Sequence, residues 1–272
     1  MIKKTYITSI GEILFDVYKG ERQIGGAPFN FIYHINKITG NTNFVTAVGS
    51  DDEGNEIINF IKEQNISTKF VDIKKDIETG EVLIELDDNK IPNFTIHENR
   101  AYDYINLSQP EEEEIIAESK LIYFGTLSQR NEVSRKTIQK LVSNSLQSMF
   151  DINIRQKFYT KEIIEKSLTA CTILKINEEE LNLISDLCLE KSDGYYQTVK
   201  KIKEKYNIDL ILRAGKVEEI LYSKEFDKDF RKVVFSFLHG EYLHYNRLYQ
   251  KLKAQPESKK KMLEKVLQSL NF

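Results

Sequence analysis

Gly11-Glu12-Ile13-Leu14-Phe15-Asp16, followed by Gly25-Gly26-Ala27-Pro28-Phe29-Asn30, decides how this chain reads. Adjacent glycines let the backbone approach a ligand and take positive φ. Pro28 suits the first turn of a helix, where its missing N–H costs nothing. A strand over residues 5–10 runs into this stretch, and 13–17 reads as a second. A helix over 28–38 leaves it, with Phe31, Ile32, Ile35 and Ile38 at helical spacing. A carboxylate at Asp16 and an amide at Asn30 can together read the hydroxyls of a small polar ligand. The same string also serves as an ordinary loop-to-helix junction.

Outward from there, strands and helices alternate. Strands are expected over 43–48, 121–124, 148–152, 172–174 and 209–212, and helices over 51–64, 133–146, 161–168, 178–187 and 194–206. This rhythm predicts an α/β fold, a mainly parallel sheet with helices on both faces. Ligands in such folds sit at the carboxyl ends of the strands. Pro110 with Glu111–Glu114 reads as a helix start, its acids at the positive end. Residues 80–86 and 93–97 alternate about the turn-rich Asp87-Asp88-Asn89-Lys90 and break the rhythm as a β-hairpin. With strands near 12–24, the region 80–100 can form a small separate sheet, a lid beside a ligand crevice, or an antiparallel extension of the main sheet. An exposed hairpin edge invites a homodimer through the lid, unless charges such as Lys90 and Glu98 cap it.

The 272 residues are expected to form a single domain, with 40% hydrophobic and 30% charged residues. A net charge of −3 supplies no basic field for nucleic acid. Lys259-Lys260-Lys261 reads as a solvated helix face. Cys171 and Cys188 are the only cysteines, which points to a reduced chain without a disulfide framework. No apolar run reaches membrane-spanning length and residues 1–10 lack a signal core, so a cytoplasmic location is expected.

Four motifs then fall in order: GE-x-x-x-D at residues 11–16, GGAPFN at 25–30, D-x-N-x-R at Asp151, Asn153 and Arg155, and K-x-N-x-x-E at Lys175, Asn177 and Glu180. This succession, with FGTL at 124–127, DINIRQ at 151–156 and the VG-x-D-x-x-G-like stretch at 48–54, resembles the ribokinase-like (PfkB-type) sugar kinases, and their fructokinase branch most. The resemblance runs from about Ile10 to Leu221. It implies a three-layer ribokinase-like sandwich with a β lid. It also implies transfer of the ATP γ-phosphoryl to a primary hydroxyl of a small sugar such as fructose. Asp16, Gly25, Gly26 and Asn30 match sugar-contacting positions. Arg155 matches a catalytic position near the sugar and the transferred phosphate, where a planar guanidinium suits phosphate oxygens. Asn177, Glu180 and Gly215 match the nucleotide side, with Glu180 toward Mg²⁺ and its waters. Asn177 and Glu180 equally read as a helix capping box. Asp151 can satisfy loop amides, and Arg155 can be a surface ion pair.

The pattern departs at one end. The family's D-T-x-G-A-G-D loop supplies backbone amides for phosphate charge and the catalytic base, and it is absent. Ser192-Asp193-Gly194 has the wrong place and order for it. Lys232-Val233-Val234 resembles the strand before that loop, and Phe235-Ser236-Phe237-Leu238-His239-Gly240 the helix after it. The expectation is that a segment carrying the base belongs between Val234 and Phe235. Only Gly215 survives of a T-x-G-x-x-G expected at 212–218, and 246–256 looks compressed near the expected adenine site. Read literally, the sequence gives the alternative of a sugar-binding pseudokinase. A nucleoside or other small-alcohol kinase is a further alternative, decided by residues facing Asp16 and Asn30. Phe94, Ile96 and His97 are candidates there, although His97 more readily reads as a surface residue.

Overall fold

The computed structural model describes residues 6–86, 92–189 and 194–213. The expectations for residues 87–90, Ser192-Asp193, Gly215, 232–240, 246–256 and 259–261 lie outside the described residues. The main sheet has seven strands: β1 (Tyr6–Ile10), β4 (Thr42–Gly49), β5 (Val71–Lys74), β8 (Ser119–Gly125), β9 (Ser148–Asp151), β10 (Ile173–Ile176) and β11 (Leu210–Arg213). They lie in the order β11-β10-β9-β8-β1-β4-β5, and each pairing is parallel. Parallel neighbours require crossover connections. Helices α1 (Ala27–Thr39), α2 (Asp52–Glu63), α4 (Glu132–Ser143), α5 (Lys161–Ala170), α6 (Glu178–Cys188) and α7 (Tyr195–Tyr206) provide them, and α3 (Gln109–Glu118) leads into β8.

Alternation along the strands divides the core in two. In β8, Ile122 and Phe124 face a cluster with Ile138 and Leu141 of α4, Ile164 of α5, Ile184 of α6 and Val199 of α7. Leu121 and Tyr123 face the other way, toward Phe31, Ile32 and Ile35 of α1 and Ile57 and Ile61 of α2. Both faces are covered, so these strands read as apolar runs. Each fully buried Phe or Ile contributes about 1.5–3 kcal/mol. The result is the expected three layers.

The region outside the rhythm forms its own four-stranded mixed sheet, not an extension of the main one. It contains β2 (Leu14–Tyr18), β3 (Glu21–Gly25), β6 (Gly80–Leu86) and β7 (Pro92–Ile96), in the order β3-β2-β6-β7. Leu14, Val82 and Ile96 pack with Tyr102 and Leu127 on one of its faces. Phe15, Val17 and Ile24 instead join the core of α1 and α2. Several bonds fix this sheet to the main body. Asp51 caps α2 through the Gly54 amide at 2.8 Å and also accepts from the Thr79 amide at 2.7 Å, immediately before β6. Burial pushes the Asp51 carboxyl up, but the Thr79 and Gly54 bonds outweigh it and hold it below the usual range. Gln156 donates to the Phe94 carbonyl of β7. Arg130 grips both oxygens of Asp103 at 2.7 and 2.8 Å and donates to the His97 carbonyl at 2.6 Å.

Two expectations need correction. The strand Val71–Lys74 was not anticipated: VDIK is short, lies at the sheet edge, and leaves Ile73 53% exposed, so its alternation carries no buried face. The helix expected over 133–146 ends at Ser143, with Asn144 as its C-cap.

The Arg130–Asp103 pair is buried, its side chains 8% and 2% exposed. Breaking a buried pair strands a charge. Asp103→Ala is therefore expected to cost about 3–5 kcal/mol in urea unfolding. A loss below about 1 kcal/mol would show that the pair does not anchor the small sheet.

Candidate functional site

The site forms where the sheet order reverses. From β1 the chain crosses to β4 on one side, while β8, β1's other neighbour, leads on to β9, β10 and β11. The loops after β1 and β8 therefore diverge and leave a crevice at their carboxyl ends. Gly11 to Ile13, Thr126 to Gln129, Ile152 to Gln156 and Asn177 follow those strands.

Helix α1 begins at this crevice. Gly26 is its N-cap, with φ 110°, and a Cβ there would stand 2.6 Å from the Glu12 carbonyl oxygen, so only glycine fits the turn. Ser9 donates to the Pro28 carbonyl at 2.8 Å and holds the helix start on β1. No side chain of the cap residue satisfies the first amides. The Glu12 backbone carbonyl lies against this turn, and the Glu12 carboxyl accepts from Ser128 Oγ at 2.5 Å. Asn30 is half-buried in the first turn, its amide bonded to the Gly26 carbonyl at 2.9 Å.

Asp16 lies in the middle of β2, in register with Gln23 and with Val82, which in turn pairs with Ile96. Period two puts Asp16 on the face of Leu14, Val82, Ile84, Phe94 and Ile96. A Cβ on Gly25 would collide with the Asp16 carboxylate, so that glycine makes room for it. Burial pushes the Asp16 carboxyl up to about 6, against the pull of Arg155. Burial likewise raises Glu12, with Ser128, backbone amides and Arg155 opposing. Arg155, half-buried after β9, thus acts on both carboxylates. The structure brings Asp16, Gly25, Gly26, Asn30 and Arg155 to one end of the fold. Phe94 and Ile96 share the face of Asp16, whereas His97 lies past the strand, its ring 3.9 Å from Glu81.

Next along the sheet, Asp151 at the end of β9 accepts from Tyr123 Oη at 2.5 Å and from Lys175 Nζ at 3.0 Å. Tyr123 is held from above by Phe31, stacked at 4.1 Å. Asn177 and Glu180 form the capping box of α6: the Glu180 amide donates to Asn177 Oδ1 at 2.8 Å, and the Asn177 amide to Glu180 Oε2 at 2.9 Å. The other oxygen, Oε1, accepts from the Ile154 amide at 3.1 Å. Glu180 therefore ties the start of α6 to the loop that carries Arg155. It is 6% exposed, and burial, then the Asp151 charge, raise its carboxyl. With each oxygen engaged by an amide, Glu180 fits contact with the water shell of a hydrated Mg²⁺ better than direct ligation. Among the described residues no group of three carboxylate, histidine or cysteine side chains is arranged to hold an ion. Cys171 and Cys188 are free buried thiols. Among the described residues no helix is long and apolar enough to cross a membrane.

The bond between Glu12, inside the Gly11–Asp16 motif, and Ser128 was not anticipated. The available signal was a glutamate in an otherwise apolar strand end, a position where a charge must be bonded.

The profile of the pfkB family carbohydrate kinases matches residues 4–233. An uncharacterized sugar kinase from Pyrococcus horikoshii is 27% identical over 195 residues, covering 64% of this chain and 62% of that protein. A fructokinase from Salmonella typhimurium is 23% identical over 197 residues, covering 69% and 62%. The chain thus spans about 62% of the length of these two curated relatives. The crystal structure of a fructokinase from Xylella fastidiosa with bound ATP superposes with a TM-score of 0.65 at 18% identity, over 79% of this chain and 70% of that one, which shows a shared fold.

The folded state holds the Asp16 proton more tightly than the unfolded chain, where a carboxyl titrates near about 3.9. The stability gained through protonated Asp16 is complete below about pH 4 and is lost as pH rises through about 6. Asp16→Asn is expected to raise Tm by about 5–10 °C at pH of about 7.5, with the gain shrinking toward zero below pH of about 4. A gain that does not depend on pH, measured by calorimetry, would contradict the burial of this charge. The matched profile, the sheet order and the ordered motifs agree: the chain belongs to the pfkB family of carbohydrate kinases.

Proposed function

We propose that this protein phosphorylates a primary hydroxyl of a small neutral sugar, with fructose the first acceptor to test. The observation that carries this reading is the convergence of Asp16, Asn30 and Arg155 at the sheet's carboxyl end, in a chain of this family. Asp16 accepts hydrogen bonds from sugar hydroxyls, Asn30 supplies a second polar contact, and the Gly25-Gly26 turn lets the sugar approach the backbone. The apolar row of Val82, Ile84, Phe94 and Ile96 beside Asp16 suits the C–H face of a sugar ring. The charge of Arg155 acts on two carboxylates, Glu12 and Asp16, which favours a neutral acceptor over a sugar acid or a sugar phosphate. ATP with Mg²⁺, when bound, supplies the phosphoryl group and screens its charge. Asn177, Glu180 and Gly215 serve that side, and Arg155 steadies the oxygens of the transferred group.

This reading requires the base that takes the hydroxyl proton to come from a further segment joined between Val234 and Phe235, which are adjacent in this sequence. The absence of D-T-x-G-A-G-D from the sequence favours a second reading, a protein that binds sugar without transfer. ADP release with Mg-ATP and a sugar panel separates them, alongside peptide mass mapping across the Val234 to Phe235 junction. The first reading expects turnover, with fructose preferred over fructose 6-phosphate and gluconate by about 100-fold, or roughly 2.7 kcal/mol. Fructose binding without ADP release selects the second reading. Failure to bind any neutral sugar contradicts both.

A further inference from the structure

We propose that Gln156 is a positioning residue of the acceptor site, a side chain that ties the turn carrying Arg155 to strand β7 of the small sheet. The inference rests on the sugar-binding reading above. It starts from the backbone. The Phe158 amide donates to the Arg155 carbonyl at 3.2 Å, which closes a turn over residues 155–158. Gln156 takes the first central position of that turn, with φ 50°. Gly, Asn and Asp usually fill such a position, because longer L side chains are crowded at positive φ. Local preference therefore disfavours a glutamine at 156, and the bond of its side chain gives the residue another reason to stand there. Its Nε2 donates to the Phe94 carbonyl of β7. Strand β7 lies at one edge of the small sheet, where backbone groups are open to partners outside the ladder.

The far end of the turn reaches the same strand. Arg130 donates to the carbonyl of His97, one residue past β7, at 2.6 Å. Its guanidinium lies 4.6 Å from the centre of the Phe158 ring. Phe158 and Phe94 both pack against the cluster of Leu14, Val82 and Ile96. The turn is thus held to β7 at two points of different kind. The Phe158 contact is apolar and non-directional, whereas the Gln156 bond fixes a distance and an angle.

The consequence concerns the acceptor. Phe94 shares a face of the small sheet with Asp16, and Arg155 immediately precedes Gln156. The Gln156 bond therefore sets the spacing between the strand that lines the acceptor and the turn that carries Arg155. The start of the same loop is anchored separately, where Glu180 Oε1 accepts from the Ile154 amide at 3.1 Å. Loss of the Gln156 bond leaves that anchor intact. A positioning role thus predicts selective damage: acceptor affinity falls while nucleotide affinity is kept.

Gln156→Gly tests this, because it removes the side chain and suits the turn, so a loss cannot come from a disfavoured backbone. Gln156→Asn also tolerates positive φ and keeps the amide, but it is one methylene too short for the bond. Gln156 is exposed, so neither variant opens the core. Fructose and ATP affinities are measured by calorimetry on the full chain, and amide exchange over residues 94–97 and 153–158 is followed by mass spectrometry without ligand. Fructose affinity is expected to fall about 3- to 10-fold in both variants, with ATP affinity within about twofold and faster exchange in those two segments. Unchanged fructose affinity in Gln156→Gly would overturn the proposal, as would equal losses for fructose and ATP, or wild-type behaviour of Gln156→Asn. A wild-type protein that binds no neutral sugar sinks the functional reading alone. Exchange in ligand-free Gln156→Gly then decides the tie by itself: faster exchange over 94–97 upholds it, and wild-type exchange there overturns it.

Discussion

One buried hydrogen bond, from Ser128 Oγ to the Glu12 carboxyl, joins the two loops that diverge at the carboxyl end of the main sheet. Glu12 sits past the carboxyl end of β1, where the loops diverge at the reversal of sheet order. An uncompensated charge there would be costly. Ser128 Oγ, backbone amides and Arg155 oppose that cost without outweighing burial, so the carboxyl stays raised. Removing one partner of such a group costs more than the bond itself, because the others are left facing an unmatched site.

A second arrangement repeats the logic beside it. Glu180 joins the start of α6 to the Ile154 amide, and Lys175 and Tyr123 hold Asp151. Two buried acidic side chains, Glu12 at the Ser128 hydroxyl and Glu180 at the Asn177 and Ile154 amides, thus brace the loops at this end of the sheet. The small sheet is braced in turn by Asp51 at Thr79, by Arg130 at Asp103 and His97, and by Gln156 at Phe94. Arg22 adds exposed pairs to Glu53 and Glu56 of α2 that contribute little to stability. The sheet carrying Asp16 is fastened to the loop carrying Arg155 by the exposed bond from Gln156 to the Phe94 carbonyl.

Much of this was legible in the sequence because it rests on periodicity and on residue types with few uses. The apolar runs at 121–124 and 148–152 announced strands covered on both faces, and Pro28 after two glycines announced a helix start. The small sheet was visible in the alternation at 80–86 and 93–97. Val71–Lys74 was invisible because an exposed edge strand needs no apolar face. Asn177 and Glu180 could be read as both cap and site, since a helix start at a strand end serves both uses. The role of Glu12 could not be read locally. Its hydrogen-bond partner Ser128 lies 116 residues away, so only the fold brings them together.

The central claim is that a neutral sugar lies between Asp16 and Arg155, under the apolar row of the small sheet. A crystal structure of the protein soaked with fructose tests it most directly. The account predicts sugar density with a hydroxyl within hydrogen-bond distance of the Asp16 carboxylate and the ring against Val82 or Ile96. Sugar bound elsewhere, or no sugar at saturating fructose with Asp16 and Arg155 accessible, would contradict it.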